Sequence, residues 1–269
     1  MNHIKMIFLT VFLLCNLADT FTQNYFEKAS EEYFNGDLNE AIRLLTLSIE
    51  NNDELASSYM LRGYANCLIG DLYSAIEDLN YSKKLDSTNY KVYYYLGRTY
   101  FLNEINTLAL ENLNIAISMY ENDADAFDIR AAVKIRINNF EGAILDENIA
   151  IKIDPKDNTY YTNRGYAKFS QKQYENAIKD YNISLEIKPT QKGFSNRGYA
   201  YFLLKLYTKA IEDYNNAIKI NDKDYQTIYL RGLVYEAIDN YDAACIDFKK
   251  SAELEYPLAI SKVNNYCRR

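Results

Sequence analysis

Residues 160–168 read YYTNRGYAK and residues 193–201 read GFSNRGYAY, so the five letters NRGYA return after 33 residues. An Arg-Gly pair in such a setting has two readings. A Gly-rich turn between a strand and a helix can cradle a phosphate. A Gly recurring at fixed spacing inside a helix marks a structural repeat. The first reading leads towards an enzyme and the second towards a scaffold.

The interval belongs to a wider pattern. Small residues fall at Ala29, Gly63, Gly97, Ala131, Gly165, Gly198 and Gly232, spaced 34, 34, 34, 34, 33 and 34 apart. A second ladder, Ala41, Ala75, Ala109, Ala143, Ala177, Ala210 and Ala244, has the same spacings. Two independent ladders that share one period and one slip establish a repeat.

Each period carries two helical patterns. In residues 158–190 the first places Tyr161, Gly165 and Phe169 on one face, and the second places Ala177, Ile178, Tyr181 and Leu185. A polar break separates them, written Gly36-Asp37 and Gly70-Asp71 in the first two periods, and Pro155 and Pro189 follow second helices as stops. No strand pattern occurs, which removes the phosphate-loop reading. The recurring Gly then lies inside a helix, at a cost of about 1 kcal/mol relative to Ala. Close approach of two helix backbones offsets that cost, with the Ala of the second helix expected as the facing small residue.

The Arg has a partner in the pattern. Arg62, Arg130, Arg164, Arg197 and Arg231 are each followed sixteen residues later by Asp78, Asp146, Asp180, Asp213 and Asp247. The third period has Leu96 and Asn112 at these slots. Pairing each Arg with the Asp slot of the preceding period gives mismatches, so ion pairs are expected within periods. The competing reading, an anion site of stacked Arg, is disfavoured because each Arg brings its own carboxylate.

Composition supports a helical array. The 269 residues include 9 Gly and 3 Pro, which suits long helices and argues against a turn-rich β-sandwich. A net charge of −7 gives no general attraction to nucleic acid or anionic lipid. The start, MNHIK followed by an apolar run from Met6 to Ala18, is shorter than the roughly 20 residues of a membrane span. It fits a secretory signal peptide over 1–22, with cleavage after Thr22 or, next, Thr20. An uncleaved anchor is the alternative; a lipoprotein site at Cys15 is disfavoured by Leu14. The chain is thus expected to be exported, to a periplasm or beyond, without a membrane span in its mature form. The single His is His3, so the mature chain would hold no Ser-His or Cys-His pair and no His-based metal site. No catalytic residue, metal or cofactor is assigned.

The 34-residue pattern resembles the tetratricopeptide repeat family, in which a repeat has a small residue at its eighth position, Ala at its twentieth and often Pro at its thirty-second. The resemblance covers residues 23–258 as seven repeats, about 22–55, 56–89, 90–123, 124–157, 158–190, 191–224 and 225–258, followed by a cap over 259–269. The family's frequent Trp at the fourth position is absent; Tyr59, Tyr93, Phe127, Tyr161, Phe194 and Ile228 stand there. The resemblance implies an all-α, right-handed superhelical solenoid whose concave groove is lined by the first helix of each repeat. Tyr64, Tyr94, Arg98, Phe101, Tyr166, Phe169, Tyr199, Phe202 and Tyr229 are then groove positions, as are Cys67, Asp128 and Thr162. Such an aromatic surface with polar tips suits a peptide. Some members clamp acidic tails with a Lys, Asn, Asn, Lys, Arg set. The matching register here reads Asp128, Ala132, Asn163, Lys192 and Asn196, so that activity is not expected.

Cys67, Cys245 and Cys267 remain after the signal. The tail places Leu258, Ala259, Val263 and Cys267 on one side of a short helix that should pack on the last repeat, which carries Cys245. The ending resembles that of exported members of the family. A Cys245–Cys267 disulfide is expected, against two small buried hydrophobes; Cys67 is left odd and read as buried. The function that follows is an exported, non-catalytic interaction scaffold for a protein or peptide partner, with an envelope assembly factor as its narrower form and no nucleic-acid partner. A self-assembling structural protein is the alternative. A carboxylate hydrolase is a weaker one, because the acids read as solvated helix positions or as partners of Arg.

Overall fold

The computed structural model describes residues 24–267, and all regular structure in that range is α-helix. The expected signal segment lies outside the described residues. The described residues divide into two compact units, one ending at Met119 and one beginning at Tyr120.

The first unit holds three antiparallel pairs: α1 (Tyr25–Asn35) with α2 (Leu38–Glu50), α3 (Leu55–Ile69) with α4 (Leu72–Leu85), and α5 (Tyr90–Leu102) with α6 (Asn106–Met119). The second holds four pairs: α7 (Ala124–Arg136) with α8 (Phe140–Ile153), α9 (Asn158–Ser170) with α10 (Tyr174–Ile187), α11 (Gln191–Leu203) with α12 (Tyr207–Ile220), and α13 (Tyr225–Ala237) with α14 (Tyr241–Glu253). A final helix, α15 (Pro257–Tyr266), packs on α14. Within each unit the second helix of a pair also packs on the first helix of the next pair.

Local chemistry sets the ends of these helices. Asp37, Asp71 and Asn139 accept backbone N–H bonds from Glu40, Ser74 and Gly142, capping α2, α4 and α8. Such a cap stabilises a helix by about 1 kcal/mol over Ala. The turn inside each pair needs one left-handed residue, and it recurs with the repeat: Gly36, Gly70, Glu104, Asn138, Lys172, Lys205 and Asp239 all have φ between 60° and 90°. Gly satisfies that geometry without strain in the first two pairs. The other five hold it with a side chain present. The cap starts at Pro257 rather than 259, because proline's fixed φ and missing N–H suit the first turn of a helix.

The interior glycines also admit bulk, which extends one expectation. A Cβ on Gly165 would stand 2.7 Å from the Tyr181 ring, and one on Gly232 would stand 2.7 Å from the Phe248 ring. At Gly63 and Gly97 the nearest side chains are Leu79 and Leu113, with the carbonyls of Ala75 and Ala109 close behind. A large apolar residue therefore fills each gap, and at Gly63 and Gly97 the backbone of the second-ladder alanine faces the glycine as well. Leu45, Leu79, Leu113, Tyr181, Tyr214 and Phe248 form this series, and all are fully buried. The fourth pair breaks it. Opposite Ala131 the same position is Glu147, with no exposed surface.

Candidate functional site

The first helices of the pairs carry two kinds of side chain, an ion-paired set towards the second helix and a second set towards the first helix of the next pair. In the former, each Arg makes a two-pronged bond to one carboxylate. Arg62 Nη2 lies 2.8 Å from Asp78 Oδ1, and the equivalent distance is 2.7 Å for Arg130–Asp146, Arg164–Asp180, Arg197–Asp213 and Arg231–Asp247. The guanidinium Nε donates to the second oxygen in every case. Each Asp is buried and each Arg only partly so. This bidentate geometry fixes the angle between paired helices more tightly than a point charge would.

Three features of this set go beyond the Arg–Asp spacing. First, Arg62, Arg164, Arg197 and Arg231 donate through Nη1 to Thr46, Asn148, Asn182 and Asn215, which sit on the second helix of the preceding pair. One guanidinium thus joins two repeats. The sequence holds the signal, since Thr46, Asn80, Asn114, Asn148, Asn182 and Asn215 recur at the repeat spacing. Second, Lys134 and Lys168 join Asp146 and Asp180 at 2.6 and 2.7 Å, so two carboxylates serve two cations each. Third, Tyr59, Phe127, Tyr161 and Phe194 lie 5.3–5.7 Å under the guanidinium three residues on. That is the slot where the family often has Trp, and a cation–π contact gives it a purpose here.

The second set forms a face along α7, α9, α11 and α13 in the second unit. Contacts cross from each of these helices to the next. Tyr160 Oη donates to Asp125 at 3.0 Å, and Asn163 Nδ2 donates to Asp128 at 2.8 Å. The Phe169 and Tyr199 rings lie 5.3 Å apart, Tyr199 and Phe202 6.3 Å apart, and Phe202 and Tyr207 6.1 Å apart. Further along, the Ser195 and Thr227 hydroxyls are 2.8 Å apart, and Gln191 donates to Asp224. Tyr166 is well exposed, while Phe169, Tyr199, Phe202 and Tyr229 are half-buried. Tyr229 packs on Phe248 and on Tyr256 beyond the last pair.

In the first unit, Tyr33, Tyr64 and Tyr95 line up on α1, α3 and α5, with Tyr64 and Tyr95 stacked at 3.9 Å. Arg98 stands 6.0 Å over the Tyr64 ring. Burial, reinforced by Tyr64, pushes the Tyr33 hydroxyl up to about 12. Phe101 is half-buried. Tyr94, Cys67 and Thr162 are buried and lie under the face rather than on it. Cys67 is a free thiol, and Cys245 and Cys267 form a disulfide with Cα atoms 5.6 Å apart.

The acids correct another expectation, that every carboxylate is solvated or faces Arg. Glu147 is wholly buried, and neither of its oxygens receives a hydrogen bond. Burial first, and Asp128 second, push it up to about 11, so it is protonated at neutral pH. Burial also raises Asp128, against the pull of the Asn163 amide. No salt bridge reaches Asp125, Asp128, Glu147 or Asp157 among the described residues. A single-letter pattern could have flagged Glu147 as the one charged residue in a series of Leu, Tyr and Phe. Also among the described residues, no helix is long and apolar enough to cross a membrane, and no group of His, Cys, Asp and Glu could hold a metal.

Residues 159–191 and 192–224 match a tetratricopeptide repeat model, and 225–256 match a second one. No curated protein matches the sequence. Solved structures do. A tetratricopeptide repeat protein from Parabacteroides merdae ATCC 43184 superposes with a TM-score of 0.68 at 18% identity, over 89% of this chain and 96% of that one. A chain of the APC/C hetero-tetramer Cut9-Hcn1 gives 0.74 at 15% identity over 88% of this chain, which spans 48% of its length. YrrB, described as a TPR protein with an unusual peptide-binding site, gives 0.57 at 21% identity, over 70% of this chain and 97% of that one. The helix pairs of residues 159–256 are thus tetratricopeptide repeats, and the fold is the all-helical array of that repeat.

Proposed function

We propose that this protein is a non-catalytic scaffold that binds an extended peptide segment of a partner protein along the first-helix face of its second unit. The observation that carries this reading is the row of rings from Phe169 through Tyr199 to Phe202, which links α9 to α11 and leaves Tyr166 exposed beside it. Rings of this kind offer large contact area at low conformational cost, and their polar tips tolerate water before the partner arrives. Nothing in the row resembles an activated nucleophile, and the carboxylates of the ion-paired set are already held by cations. YrrB's peptide-binding site supports a peptide as the occupant by fold analogy.

The proposal extends to location. The apolar run from Met6 to Ala18, read as a signal segment, and a disulfide between Cys245 and Cys267 both suit an exported protein, because such bonds persist in oxidising compartments. A role in assembling other proteins of a cell envelope would follow.

A photo-reactive phenylalanine analogue placed at Tyr166 tests the face directly. The expected result is a crosslink to one partner in the native envelope fraction, lost in the double variant Tyr199→Ala with Phe202→Ala. The same analogue at the exposed Tyr241, on α14, should give none. Equal crosslinking from both positions, or retention in the double variant, would count against the face.

A further inference from the structure

The acids around α7 are not explained by folding. Six of seven repeats place Leu, Tyr or Phe at the position Glu147 occupies, so an apolar residue is what the packing wants. Burying an unpaired carboxyl there costs stability even when it is protonated. Asp125 and Asp157 lie close enough to act on both Tyr160 and Asp128, Asp128 acts on Tyr160, and no salt bridge reaches any of the three among the described residues. Tyr160 and Asn163 each donate to one of these carboxylates from the next repeat, which holds Asp125 and Asp128 in place. Asp128 is half-buried and interacts with the wholly buried Glu147. The group does not converge as metal ligands would. The carboxylates of Asp125, Asp128 and Asp157, on the face that the aromatic row continues, are complementary to an organic cation arriving from outside.

We infer that the α7–α9 end of the face, built from Asp128 beside Glu147 and flanked by Asp125 and Asp157, is a subsite for a lysine or arginine side chain of the bound peptide. The inference rests on the peptide-scaffold reading above and names the chemistry of its partner. The arriving ammonium or guanidinium takes the place beside Asp128 that a paired Arg takes beside each Asp of the structural set. Glu147, wholly buried and protonated, does not reach the cation and acts through Asp128, whose ionised form it favours.

Fluorescence anisotropy with an acetylated, amidated octapeptide alternating Ser and Arg tests the subsite on the full chain. The control peptide carries citrulline, an uncharged isostere, in place of Arg. Wild type should bind the Arg peptide and not the citrulline one. Asp128→Asn should weaken binding about tenfold or more, tenfold being the low end for removing one partner of a close charge pair. Glu147→Leu should weaken it while the fold is retained or strengthened, which separates lost binding from unfolding. Glu175→Gln removes one negative charge at an exposed site on α10 and should leave affinity unchanged. Equal affinity in wild type, Asp128→Asn and Glu175→Gln would overturn the subsite, as would equal binding of the two peptides. A natural partner lost from the Tyr199→Ala, Phe202→Ala variant but held fully by Asp128→Asn would also overturn it while leaving the aromatic face standing.

Discussion

Replacing Glu147 by Leu should stabilise this protein, and the gain should fade in acid. The side chain has no exposed surface and no hydrogen-bond donor at either oxygen. In the unfolded chain its carboxyl ionises near 4.5, whereas the folded protein keeps the proton up to about pH 11. The folded state therefore binds the extra proton. Stability from this group is complete below pH 4.5 and is lost progressively as pH rises towards 11. One pH unit is worth about 1.4 kcal/mol, so the 2.5 units between 4.5 and 7 amount to roughly 3 kcal/mol against folding. Leu, similar in volume and already resident at the equivalent positions 45, 79 and 113, carries no such penalty. Urea unfolding followed by circular dichroism should show the variant about 3 kcal/mol more stable at pH 7. Between pH 7 and pH 5 the difference should shrink by about 2.5 kcal/mol, leaving the cost of burying the neutral carboxyl. Burial raises Asp128 as well, which adds to the wild type's loss in the same direction. A variant no more stable than wild type at pH 7, or a gain that ignores pH, would refute the reasoning.

Gly165→Ala should destabilise by about 1–2 kcal/mol, because the new methyl meets the immobile Tyr181 ring at 2.7 Å and the clash exceeds the helix-propensity gain. Gly198→Ala, whose methyl would stand 3.1 Å from the Tyr214 ring, should be near neutral; thermal melts of both variants compare them, and the reverse order would sink the argument. Asp180→Ala strands two cations, Arg164 and Lys168, and should cost about 3–5 kcal/mol in urea unfolding. A loss below about 1 kcal/mol would show the pair to be ornamental. Reducing the Cys245–Cys267 bond, which closes a 22-residue separation, should remove about 3 kcal/mol and raise amide hydrogen exchange in α15 first. Unchanged exchange in α15 would mean that packing on α14 alone holds it.

How far the sequence determined this protein depends on the range of each interaction. The helix pairs were legible because they are periodic. Ala29 through Gly232 and Ala41 through Ala244 count out seven units, and local caps such as Asp37 and Asp71 mark their starts. The Arg–Asp spacing was legible for the same reason, since a fixed offset of sixteen residues spans one turn between antiparallel helices. What sits opposite Gly165 was not legible. A small residue permits close approach, but helix rotation decides whether a backbone or the Tyr181 ring fills the gap. The second bond of each Arg, to Asn148, Asn182 or Asn215, depends on how one repeat stacks on the last. Glu147 depends on tertiary structure most of all. Its letter is that of a surface residue, and burial beside Asp128 alone turns it into a neutral acid. Period and offset are properties of the chain. Burial, and with it the charge state of a carboxyl, belongs to the packed array.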